Sequence, residues 1–207
     1  MNRKFYVAAI GLAITAYSGL SFAQFSMPSI PGVGGGSGAS ASSVTAESLV
    51  KNYVVGTKLV MNSNEKFLLA LGFKDQAAKQ ELAANDLTMG ATSDGLEDAA
   101  KVQTESSKLL AETQTGEKVV LTAESKKTYT RGLIDLAGGI KSYIGMASDV
   151  KGFKPSLSSF GASAGAAVYV VKSLPDSITR LKDTLAQSIA FAKENKITVP
   201  PDATGIL

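Results

Sequence analysis

Tyr129 to Val150 reads YTRGLIDLAGGIKSYIGMASDV, and its stripe Tyr129, Leu133, Leu136, Ile140, Tyr143, Ala147 and Val150 advances by alternating steps of four and three. Residues spaced this way fall on one face of an α-helix. The rhythm matches helices packed nearly antiparallel with a slight left-handed supercoil. Four glycines, Gly132, Gly138, Gly139 and Gly145, interrupt the segment, each at a cost of up to about 1 kcal/mol relative to Ala. Close approach of a neighbouring backbone is the simplest compensation; a kink at the glycine pair is the alternative.

Just upstream, Thr122-Ala123-Glu124-Ser125 supplies an N-cap and an acid in the first turn. It repeats Thr45-Ala46-Glu47-Ser48 letter for letter, but the flanking sequences diverge at once. Convergent capping therefore explains the match better than duplication. Between Gly116 and this cap, Val119-Val120-Leu121 is too short and too isolated to be a strand, and is expected to plug the core.

The first cap, Thr45, opens a second strongly periodic segment in which Val50, Tyr53, Thr57, Val60, Asn64, Phe67 and Leu71 line one face. Val44 is placed to staple to Leu49, and Gly72 to end the helix in a left-handed cap with Phe73 making the accompanying apolar contact. Asp75 to Met89 reads as a short, partly exposed helix with a thin stripe of Ala78, Leu82 and Leu87. Ser93 or Asp94 caps a third helix through Leu96, Ala99, Leu109 and Leu110 to about Thr115.

Downstream, Gly152-Phe153-Lys154-Pro155 is a turn. Pro155 to Val171 carries no charge and includes Gly161-x-x-x-Gly165. Two readings follow: a core helix whose small residues let neighbours close in, or a membrane-inserting helix packed through its glycines. It is shorter than a usual span, and its several Ser and Gly residues favour the core. Ser173-Leu174-Pro175-Asp176 is expected to end this helix and start the last, which carries Ile178, Leu181, Leu185, Ile189 and Ala192 and is closed by Asn195. The tail from about Thr198, with Pro200 and Pro201, reads as extended.

The N-terminal segment has a different character. Arg3 and Lys4, the apolar run Phe5 to Ala16, and Ser21-Phe22-Ala23 form the three parts of an export signal, with cleavage expected after Ala23. Gln24 to Ser43 is uncharged and rich in Gly, Ser and Ala, and reads as a flexible linker. Loss of Arg3 and Lys4 leaves 19 of the 21 basic side chains against 18 acidic ones. The mature chain is then nearly neutral and offers no general attraction to nucleic acid. An exported chain without Cys has no disulfide, so its stability must come from an apolar core. The remaining 184 of 207 residues suffice for one.

The sequence contains neither His nor Cys. That removes the common ligand sets for zinc, haem and copper and the common nucleophile–base pairs. Ser48-x-x-Lys51 and Ser63-x-x-Lys66 lack the partner motifs of a Ser–Lys enzyme. Glu97 and Asp98 are adjacent on a helix and point apart, as a solvated face does. Gly34 to Gly38 lacks the Lys of a phosphate loop, and no segment spaces acids for calcium.

The expectation is an all-α, single-domain antiparallel bundle of four to six helices over residues 44–207. It follows a signal peptide at 1–23 and a linker at 24–43. The function expected is non-enzymatic, without cofactor or metal, in the periplasm or beyond. It works by binding a protein or other envelope component through a helix face or groove. Membrane insertion or disruption through 155–171 is one alternative. A small-molecule carrier is the other, with an interhelical pocket lined by Tyr129, Tyr143 or Tyr169.

Overall fold

The computed structural model describes residues 44–116, 119–153 and 163–207. The expected signal peptide, the linker and the first half of the uncharged stretch lie outside the described residues. In chain order the helices are α1 (Ala46–Leu71), α2 (Lys74–Asp86), α3 (Ser93–Thr115), α4 (Ala123–Gly152), α5 (Ser163–Glu194) and the single turn α6 (Pro201–Thr204). No strand occurs among the described residues, so the all-α expectation holds.

Cap chemistry sets the helix ends. Thr45 accepts the Ser48 N–H while the Ser48 hydroxyl accepts the Thr45 N–H, a reciprocal box, and Thr122 accepts the Ser125 N–H at 3.1 Å. At the far end of α1, Gly72 takes φ +92°. Phe73 N–H donates to Leu68 O at 2.8 Å and Gly72 N–H to Leu69 O at 3.1 Å, the paired bonds of a left-handed cap. α5 ends the same way one residue later than its sequence implied. Asn195 bonds back to Phe191 O, and Lys196 adopts φ +54°.

α1 sits at the centre and buries half of its 26 residues. Its largest interface is with α4. Gly56 meets Tyr143, Val60 meets Gly139, and Phe67 meets Gly132 and Tyr129, so the two helices run antiparallel. Small residues at seven-residue intervals, Gly56 and Ser63 on one helix and Gly132 and Gly139 on the other, bring the backbones together. A Cβ on Gly139 would fall 3.2 Å from Gly56 O, and one on Gly132 3.3 Å from Ser63 O. Backbone approach thus accounts for two of the four glycines between Tyr129 and Val150. A half-buried ion pair, Lys66 to Asp135 at 2.7 Å, ties the same two helices.

α5 packs antiparallel to α4 and parallel to α3, since Tyr129 reaches Ser188 while Ala111 and Gln114 reach Gln187 and Ser188. α3 and α4 lie on opposite flanks of the α1–α5 pair and barely touch each other. α2 returns the chain from the end of α1 and buries Ala77, Gln80 and Ala84.

Five details depart from the sequence reading, the smallest being that Thr92, not Ser93 or Asp94, caps α3 by accepting the Gly95 N–H at 3.2 Å. Pro175 does not end a helix, because α5 runs unbroken through it. The proline faces solvent between buried Val170, Leu174 and Leu181, and packing on both sides outweighs the missing backbone bond. α2 turns Ala78 and Leu82 outward, Leu82 being 63% exposed, because the Gln80 amide locks onto Val102 O at 2.8 Å and Ser106 Oγ at 2.7 Å. Val119 and Leu121 are partly buried, but Val120 between them is 96% exposed and plugs nothing. The tail is not extended throughout: Pro201 starts a helical turn whose Ala203 is buried, while Thr130 Oγ1 holds Thr198 O at 2.9 Å.

The described half of the uncharged stretch, Ser163 to Val171, starts α5 and is two-faced. Ala166, Ala167 and Val170 are fully buried, whereas Gly165 and Val168 face solvent. No helix among the described residues is long and apolar enough to cross a membrane.

Candidate functional site

The three tyrosines expected around one pocket divide between two clusters. Tyr129, near the start of α4, lies between Phe67 (ring centroids 4.5 Å) and Phe191 (5.3 Å). Its hydroxyl accepts from Gln114 Nε2 at 2.8 Å and donates to Ser188 O at 3.3 Å. The phenol is fully buried, and that burial pushes its pKa well up. The cluster is a closed polar knot joining α3, α4 and α5.

Tyr143 lies at the other end of α4, where the period-seven contacts with α1 bring it over Gly56. Its ring stacks on Tyr53 with centroids 5.0 Å apart and planes 5° from parallel. The Tyr143 and Thr57 hydroxyls are 2.7 Å apart. Thr57 spends its own proton on Tyr53 O at 2.8 Å, so Tyr143 donates to Thr57. Burial raises its pKa strongly, with the neighbouring Tyr53 adding to the effect.

Tyr169 on α5 stands edge-on to Tyr53, at 6.3 Å and 84°. Unlike Tyr143 it is only partly buried. Its pKa is pushed up to about 12, first by burial and then by the neighbouring Tyr53 and Glu97. Tyr53, read only as a member of the core stripe, joins Tyr143 to Tyr169. A pair distant in sequence and meeting only through a third helix leaves no local trace.

Tyr169 forms one wall of an open groove of about 420 Å³ between α5 and α3, whose other wall is Glu97, Ala100, Lys101, Thr104 and Glu105. These α3 residues follow the helical rhythm on its outer face. Lys101 pairs with Asp98 at 2.9 Å, which also raises its pKa. The groove therefore has an aromatic side braced from behind by Tyr53, Tyr143 and Thr57. Its opposite side carries Glu97 and Glu105 with Lys101 between them, on a helix that holds five carboxylates against two lysines.

No group of three or more acidic, His or Cys side chains able to hold a metal ion occurs among the described residues. No family model matches this chain, and no curated protein or solved structure shows significant similarity to it.

Proposed function

We propose that this chain is an exported, non-enzymatic helical-bundle protein that acts by binding another component of the cell envelope or of the secreted material, through the groove between α3 and α5. One observation carries the reading. Tyr169 is the partly exposed end of a rigid tyrosine stack, and it faces the charged residues of α3 across a groove that opens to solvent. Rigid aromatic side chains with little ordering entropy to lose are favoured anchors at binding surfaces. Export rests on residues 1–23 and their signal-peptide pattern. The lack of His and Cys supports binding over catalysis.

A photo-crosslinking residue placed at Thr104, and separately at solvent-facing Lys193 as a control, tests the proposal in expressing cells. A discrete adduct from Thr104 and none from Lys193 is expected. No adduct from Thr104 or other groove positions would defeat the reading.

A further inference from the structure

The groove has a counterpart on the opposite flank of the same molecule. Besides its core stripe, α4 carries a second one on the outside, Lys127, Arg131, Ile134, Gly138, Lys141 and Gly145, again in steps of four and three. A stripe of that period forms a seam against another helix. Ile134 in it is 49% exposed. Its glycines are those the fold leaves unexplained: a Cβ on Gly138 would only touch Leu59 Cδ1 at 3.7 Å, and one on Gly145 would meet nothing within 4 Å. The seam is basic and holds no carboxylate, whereas α3 is acidic. Because α3 and α4 flank α1 and α5 and barely touch each other outside the Gln114–Tyr129 contact, the groove wall of α3 and the outer stripe of α4 do not meet within one molecule.

Resting on the reading of the α3–α5 groove as a docking surface, we infer that its occupant is the outer face of α4 from a second copy of this chain. At 1.5 Å rise per residue, Arg131 and Lys141 lie about 15 Å apart along α4, and Glu97 and Glu105 about 12 Å apart along α3. Long side chains span the difference. Arg131 and Lys141 then each face a carboxylate, while Ile134 between them enters the groove between Ala100 and Tyr169. Gly138 and Gly145 let the helices approach. A contact between two different faces is head-to-tail and propagates unless its rotation closes a ring.

Sedimentation velocity of the purified chain over a wide concentration range tests this, at low and high salt. Association that grows with concentration and weakens with salt is expected. Glu97→Lys with Glu105→Lys, and Arg131→Glu with Lys141→Glu, each weaken it at least about tenfold. Mixing the two variants restores it, which damaged folding cannot mimic. Gly145→Leu keeps the monomer folded, with a higher melting temperature, yet blocks association. A chain that stays monomeric, association that survives either charge reversal, or variants that fail to complement each overturn the inference. If the chain is monomeric while Thr104 still crosslinks to a different protein, only the self-association falls and the binding proposal stands.

Discussion

Replacing a glycine of α4 by alanine has opposite consequences at two positions six residues apart. At Gly139 a Cβ would lie 2.7 Å from Val60 Cγ2, 3.2 Å from Gly56 O and 3.3 Å from Val60 N. Val60 is fully buried and stiff about χ1, and two of the three neighbours are α1 backbone, so neither side can yield without parting the helices. Overpacking of this kind costs about 1–3 kcal/mol. The gain in helix propensity from Gly to Ala returns up to about 1 kcal/mol. Gly139→Ala is therefore expected to destabilise by up to about 2 kcal/mol. At Gly145 nothing lies within 4 Å, so only the propensity gain remains and Gly145→Ala stabilises by about 0.5–1 kcal/mol. Urea unfolding followed by far-UV circular dichroism reads both, with equal slopes and midpoints displaced in opposite directions. Each kcal/mol corresponds to about 2–4 °C in Tm for a chain of this size. Stabilisation of similar size at both positions would refute the close contact of α1 with α4.

Pro175→Ala, which restores a backbone donor in the interior of α5, is expected to raise stability by about 1–3 kcal/mol in the same assay; an unchanged midpoint would mean that the helix is interrupted there after all. Tyr129→Phe keeps the ring packing but strips Gln114 Nε2 of its 2.8 Å acceptor, and should cost about 1–2 kcal/mol. A stability equal to wild type would show that the knot of α3, α4 and α5 contributes nothing. Above pH 10 the unfolded chain ionises its phenols while Tyr129, Tyr143 and Tyr169 stay protonated in the fold, Tyr169 up to about 12. The unfolded state then binds fewer protons, so stability is intact below pH 10 and falls as pH rises through the window to 12. Phenolate absorbance should report it as a late, cooperative rise coincident with unfolding, and a simple titration centred near 10 would contradict the burial.

The candidate site was far less legible than the fold. Tyr143 and Tyr169 do lie in one cluster, but through Tyr53, and Tyr129 belongs to another near the opposite end of α4. Periodicity places a residue on a face; it says nothing about which distant face it meets. Gln114 and Ser188, polar residues at core positions, held the only advance sign of the second cluster. The groove depends on α3 and α5 running parallel, a relation set by α2 and by the packing around α1.

What the sequence settled by itself is local: the helical class, from the three-four rhythm, and the starts and stops at Thr45, Gly72, Thr122 and Gly116, where a side chain or a missing Cβ acts on its own neighbours. What tertiary structure decided is whatever competes with a local preference. Packing carried α5 through Pro175, one buried amide turned α2 away from its apolar stripe, and α1 claimed Gly132 and Gly139 while leaving Gly138 and Gly145 to the outside. Local preferences are worth about 1 kcal/mol each, apart from the larger proline penalty, and burial of a helix face is worth several times that. Where the two disagree, burial prevails.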